Sequence, residues 1–132
     1  MAIADCRFCK HLFMDKIEFE KRTKQFAINT AKFCKSLSFD PITKSYIDQV
    51  VRSSASVGAN YRAACRAKSK ADFINKMRIV EEETDESLYF FELLAEFYNN
   101  RKTDLRILYK EGNELLSMTV RSINTAIKNL KK

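Results

Sequence analysis

The chain has 132 residues, of which 45% are hydrophobic and 31% charged, so it can bury one core and is too short for two ordinary domains. Only two glycines and one proline interrupt it, whereas all-β folds and phosphate-binding loops use these residues at many turns. The composition therefore predicts an all-α fold. No run of about 18 apolar residues occurs, which predicts a soluble, cytoplasmic protein with no membrane partner. The net charge of +7 favours polyanions such as nucleic acid.

The first helix is predicted over residues 16–37, because phenylalanines recur there every seven residues. These phenylalanines are Phe19, Phe26 and Phe33. Asp40 and Pro41 end the helix. The second helix is predicted to begin near Thr43, because a wide stripe of apolar and small residues follows at intervals of three and four. The inward stripe comprises Ile47, Val50, Val51, Ser54, Val57, Gly58, Tyr61, Ala64 and Cys65.

Ser69 is the predicted N-cap of the third helix, and Asp72 three positions later resembles a capping box. From there a heptad pattern continues for about 26 residues, which is typical of bundle packing. Its positions are Phe73, Met77, Val80, Thr84, Ser87, Phe91, Leu94 and Tyr98. Asn99 and Asn100 close this helix.

The fourth helix is predicted from Thr103, with Gly112 weakening its first half. Its inward side is predicted to hold Leu105, Leu108, Tyr109, Leu115, Leu116, Ile123, Ile127 and Leu130. Because the connections between the four helices are short, neighbouring helices should be antiparallel. The predicted fold is an up-down-up-down four-helix bundle over residues 15–132, with residues 1–14 as an extension outside it.

Cys6, Cys9 and His11 have the spacing of half a zinc site. The other half needs a second close pair of ligands, but Cys34 and Cys65 are far apart in the sequence. We therefore expect free thiols, with no metal and no cofactor. The carboxylates of the third helix lack the histidine partners that a di-iron bundle requires. The chain also has no pairing of a nucleophile with a histidine and no glycine-rich phosphate loop, so we do not expect it to be an enzyme.

Basic residues cluster at the end of the second helix and in the turn after it, where they favour contacts with nucleic-acid phosphates. This strip consists of Arg62, Arg66, Lys68 and Lys70, and Arg101, Lys102 and Arg106 after the third helix are expected to assist it. The alternative is a solubilising surface that is neutralised by the acidic third helix.

The third helix also has a second apolar face, nearly opposite the heptad positions. This second face consists of Ile79, Phe90, Leu93 and Phe97. Because both faces cannot fill one bundle core, the second face is predicted to form an oligomer interface. The alternative is that neighbouring helices of the same chain cover it.

Residues 49–64 contain the sequence Arg-Ser-Ser, followed after two residues by Val-Gly-Ala-Asn-Tyr-Arg. The segment Ser-Lys-Ala-Asp-Phe-Ile begins at Ser69 and leads into the glutamate-rich third helix. This arrangement resembles the four-helix-bundle proteins encoded in intervening sequences of bacterial large-subunit ribosomal RNA genes. The same family includes the accessory variability-determinant protein of diversity-generating retroelements. The resemblance implies a ring-like homopentamer with a basic surface, nucleic-acid binding and, in the retroelement branch, partnership with a reverse transcriptase.

Within the resembling block, Arg52, Ser53 and Asn60 are polar residues of a helix-pair seam. We expect them to fix the register of the second helix against the acidic third helix. The sequence thus predicts a non-enzymatic, oligomeric accessory protein that binds the backbone of RNA or DNA. The alternative is a homo-oligomeric protein–protein adaptor with no direct role in nucleic-acid binding.

Overall fold

A computed structural model describes residues 16–131 of the chain. It contains four long helices, which are α1 (Lys16–Lys35), α2 (Pro41–Cys65), α3 (Lys70–Phe97) and α4 (Lys102–Leu130). A short 3-10 helix, Asn99–Arg101, joins α3 to α4. No β-strand occurs in this part of the chain, so the all-α prediction is confirmed, and the helix ends differ from the predicted ones by one or two residues.

Each helix packs against the next helix in the chain, with the most extensive contact between α2 and α3 and the least extensive between α1 and α4. This pattern confirms the up-down arrangement that short connections require. Arg22 of α1 spans the sparse α1/α4 contact, because its guanidinium binds Glu111 and lies 3.8 Å from Sδ of Met118.

Side-chain caps fix where α2 and α3 begin. Asp40 accepts hydrogen bonds from the backbone N–H groups of Ile42 and Thr43, and the Thr43 hydroxyl accepts one from the Asp40 N–H. This reciprocal capping box starts α2 at Pro41, two residues before the predicted start, because proline fits the first turn of a helix. Ser69 caps α3 as predicted, accepting from the Asp72 N–H at 3.0 Å.

The predicted core positions are mostly buried. All three heptad phenylalanines of α1 and every heptad position of α3 from Phe73 to Leu94 are buried. Val51, Tyr109 and Leu130 were predicted to face inward, but each is exposed. The predicted stripes on α2 and α4 were wider than the contact that the neighbouring helices provide, so residues at the stripe edges face solvent.

Gly112 does not interrupt α4, although the sequence suggested that it would weaken the helix. It is buried, and a Cβ atom there would lie 2.8 Å from Cδ2 of Leu88 and 3.2 Å from the Phe26 ring. The missing side chain allows α1 and α3 to approach α4 closely. The packing gain therefore offsets the low helix propensity of glycine.

Residues 1–14, with Cys6, Cys9 and His11, lie outside the described residues. Cys34 and Cys65 are both buried, and burial raises the pKa of the Cys34 thiol to about 11. Between residues 16 and 131, no three His, Cys, Asp or Glu side chains lie close enough together to hold a metal ion. None of the four long helices is apolar enough over a sufficient length to cross a membrane.

Candidate nucleic-acid interface

The predicted basic strip lies at the end of the bundle where α2 turns into α3. Arg62, Arg66, Lys68 and Lys70 are all exposed there. Arg62 is held by α1, since its Nε lies 3.4 Å from a carboxylate oxygen of Glu20. Arg62 is thus positioned by an ion pair with α1. The alternative, neutralisation of the strip by the acidic third helix, has one contact in its favour, since the Asp72 carboxylate of α3 accepts a hydrogen bond from the Lys68 N–H at 3.0 Å.

The fold adds basic residues to this end that the sequence analysis did not select. Nζ of Lys70 lies 3.5 Å from the backbone carbonyl of Asn129, which places the end of α4 beside the α2/α3 turn. Lys128 and Lys131 at the end of α4 are exposed at the same end of the bundle. The predicted antiparallel topology could have indicated both lysines, because it requires α4 to end beside the start of α3.

The bundle is strongly polarised in charge. The half nearest the α2/α3 turn comprises residues 16–25, 54–83 and 117–131, and it contains 13 Lys and Arg against 6 Asp and Glu, a net charge of +7. The other half, residues 26–53 and 84–116, contains 8 basic against 9 acidic residues, a net charge of −1. We call the first half the basic half. An anionic polymer is attracted to it at long range.

Arg101, Lys102 and Arg106 lie at the opposite end of the bundle, about 40 Å away along α3. The Arg101 guanidinium stacks over the Phe33 ring, 4.9 Å from its centroid, and binds Asp104 at 2.8 Å. The structure therefore does not bring the two predicted clusters together on one surface of a single chain.

Arg52 and Ser53 contact the acidic helix as predicted. Arg52 forms ion pairs with Glu83, at 3.1 Å, and with Glu86. The hydroxyls of Ser53 and Ser87 are 2.8 Å apart in the buried α2/α3 contact. Asn60 differs from the prediction, since its side chain donates to the Ser56 carbonyl of its own helix at 2.8 Å.

The second apolar face of α3 is partly covered by α2. Phe90 and Leu93 in its middle are half-buried, and Tyr46 of α2 packs against both Phe90 and Phe97 with ring centroids 6.3 and 5.8 Å apart. Ile79 and Phe97 at its two ends are 40% and 53% exposed. The two exposed ends are about 27 Å apart along the helix. Because the residues between them are half-buried, the second face is not one continuous exposed patch.

A profile of the 23S rRNA-intervening sequence protein family matches residues 15–121. The chain belongs to this family. The fold is similar to the crystal structure of a protein with unknown function from the S23 ribosomal protein family of Bacteroides thetaiotaomicron. The two sequences are 28% identical, and the structures match with a TM-score of 0.75 over 84% of this chain and 99% of the Bacteroides chain. A comparison with curated proteins finds no match.

Proposed function

We propose that this family member is a non-enzymatic accessory protein that binds the backbone of RNA or DNA through its basic half. The observation that carries the proposal is the charge polarity, with +7 on one half of the bundle and −1 on the other. Family membership supports RNA as the first ligand to test, because the family is described by an intervening sequence of ribosomal RNA.

The binding surface combines the sequence-predicted strip with the end of α4. Arg66 and Lys128 are exposed and form no ion pair within residues 16–131, so neither needs to give up a protein partner to reach a phosphate. Phosphate contacts position a protein without reading bases, so binding is expected to be weakly dependent on sequence. A symmetric oligomer would multiply the few contacts of one subunit.

The test is fluorescence anisotropy with labelled structured RNA, single-stranded RNA and duplex DNA of unrelated sequences, measured over a range of salt concentrations. Replacing Arg62 and Arg66 together by Glu should weaken binding about equally for all sequences. It should also flatten the dependence of the logarithm of the binding constant on the logarithm of salt concentration, by about 1 for each phosphate that the variant no longer binds.

Because Arg62 pairs with Glu20, its reversal places two carboxylates together and perturbs α1. The double variant Arg66→Glu with Lys128→Glu avoids this and should weaken binding in the same way. Lys32→Glu with Lys35→Glu is the matched control, since it changes the net charge equally on exposed residues at the opposite end. Equal losses of affinity in both double variants would show a general charge effect and contradict a localised interface.

Lys102→Glu with Arg106→Glu decides whether the second predicted cluster contributes. Because these residues lie at the far end of the bundle, one chain cannot use them together with the basic strip on a short nucleic acid. A short oligonucleotide should therefore bind this variant as tightly as the wild type. A clear loss of affinity would place the second cluster in the interface, as the sequence analysis proposed.

The adaptor remains the second candidate, favoured by the exposed aromatic residues at the end opposite the basic strip, among them Phe39 and Phe97. No binding to any nucleic acid at low salt would make this candidate the leading one. A reverse transcriptase is the partner that the family resemblance proposes. Its capture by the purified protein should survive addition of excess bulk nucleic acid if the adaptor function is correct.

A further inference from the structure

A cleft at the end of the bundle opposite the basic strip is lined by aromatic and acidic side chains instead of basic ones. It lies between the α1/α2 connection and the end of α3, has a volume of about 340 Å³, and is lined by Ser38, Phe39, Asp40, Thr43, Phe97 and Tyr98. We call it the aromatic cleft. Three of its six lining residues are aromatic, one is a carboxylate, and none is basic.

Two of the rings are presented to solvent instead of filling the core. Phe39 is 62% exposed and Phe97 is 53% exposed. The Phe97 ring packs against the ring of Tyr46, with the two centroids 5.8 Å apart. The Tyr98 hydroxyl donates to the Ser38 carbonyl at 2.6 Å, which ties the end of α3 to the α1/α2 connection and holds the cleft walls in place.

Asp40 adds a negative charge to this aromatic site. Its Oδ1 accepts from the backbone N–H groups of Ile42 and Thr43, both at 2.9 Å, and these bonds fix the carboxylate at the cleft. Within residues 16–131, no donor is bonded to its Oδ2. The hydrogen bond from the Thr43 backbone N–H, assisted by that from Ile42, holds the pKa of Asp40 below its usual value, so the carboxylate is ionised at neutral pH.

We propose that the aromatic cleft binds a compact organic cation of the alkylated ammonium class. Aromatic faces attract a cation through the ring quadrupole, and quaternary ammonium ions are recognised by groups of aromatic rings in this way. The Asp40 carboxylate favours a cation and disfavours an anion, and the surrounding half of the bundle carries a net charge of −1. This site is independent of the proposed nucleic-acid interface, which lies at the other end.

The test is a titration of the ¹⁵N-labelled full-length protein with choline, followed by heteronuclear NMR at constant ionic strength. The amide signals of residues 38–40, 42–43 and 97–98 should shift and saturate. The control ligand is 3,3-dimethylbutan-1-ol, which has nearly the shape of choline but no charge, and it should bind at least about tenfold more weakly.

Two variants and a matched control assign the binding to the cleft. Phe97→Leu keeps an apolar side chain but removes a ring, and should weaken choline binding about three- to tenfold. Asp40→Asn retains a residue that caps helices well while removing the charge, and should also weaken it. Tyr89→Leu changes an equally exposed ring of α3 outside the cleft and should leave choline binding unchanged.

Equal binding of choline and its neutral analogue would show an apolar groove without cation recognition and overturn the proposal. Absence of saturable shifts would overturn it too, including the case in which a second copy of the chain fills the cleft. Neither result affects the nucleic-acid proposal, because the residues proposed to bind nucleic acid, among them Arg66 and Lys128, lie at the opposite end of the bundle.

Discussion

Small and hydroxylated residues set how closely the helices of this bundle approach one another. Gly112 lies against Phe26 and Leu88, and Gly58 lies against Thr23, where an added Cβ would be 3.1 Å from the Thr23 hydroxyl. Ser53 and Ser87 contact each other across α2 and α3, and Ser87 also donates to the Glu83 carbonyl. Buried polar atoms are thus satisfied at close helix contacts, as an interior requires.

At the residue scale, Gly112→Ala tests this close packing. Alanine has the better helix propensity, by about 1 kcal/mol, but its Cβ would be confined between Leu88 and the Phe26 ring, and such overpacking costs about 1 to 3 kcal/mol. We expect a net loss of about 1 kcal/mol in the free energy of unfolding, measured by denaturant titration. The exposed neighbour variant Asn113→Ala should show no loss, and an unchanged or stabilised Gly112→Ala protein would contradict the packing argument.

At the element scale, single capping residues set the start of two of the helices. Asp40 and Ser69 determine where α2 and α3 begin, and the start of α4 has no side-chain cap. The 3-10 helix Asn99–Arg101 leads directly into α4, and Arg101 is anchored there on Phe33. The α3/α4 connection is therefore held by the Arg101–Phe33 contact and by a local hydrogen bond from the Arg101 N–H to the Tyr98 carbonyl, without a side-chain cap.

The Asp40 cap predicts a pH dependence of stability. Because the hydrogen bonds lower the pKa of Asp40 in the folded state, its stabilising contribution is present above the unfolded pKa and is lost as pH falls through the folded value. The melting temperature of Asp40→Asn should lie below that of the wild type at pH 7, and the difference should shrink as pH falls below about 4. A difference that is the same at both pH values would contradict this role. Asp48→Asn, on the exposed face of α2, is the matched control.

At the scale of the whole molecule, the two ends of the bundle differ in chemistry. One end concentrates basic residues from α1, α2, α3 and α4, whereas the other presents exposed aromatic side chains. This separation allows the protein to contact a polyanion with one end while the other end contacts a different ligand or another subunit.

The oligomer that the sequence analysis predicted can be tested at Ile79, the exposed end of the second apolar face that lies outside the aromatic cleft. Because this side chain is 40% exposed, Ile79→Glu is compatible with the folded monomer, whereas a charge buried in a subunit contact costs several kcal/mol. Light scattering should therefore show a lower mass for Ile79→Glu, with unchanged helical circular dichroism. Ile107→Glu, which alters an exposed apolar side chain of α4, should keep the wild-type mass. A monomeric wild type would contradict the predicted oligomer.

Phe90 is unsuitable for the same test. It is half-buried and packs against Tyr46, so a charge there would also disturb the contact between α2 and α3. The periodicity of α3 placed Phe90 and Phe97 on one face, but it could not show that Tyr46 covers part of that face.

The sequence alone determined the helices, their order and most of the core, because heptad phenylalanines, caps and short connections are local signals. The α3 positions from Phe73 to Leu94 are buried as their spacing requires. Tertiary structure decided the rest. It brought Lys128 to the α2/α3 turn and separated Lys102 from Arg66, because antiparallel packing joins helix ends that are distant in sequence. It also created the aromatic cleft, since Phe39 and Phe97 are 58 positions apart in the sequence and meet only when α1 and α3 end on the same side of the bundle.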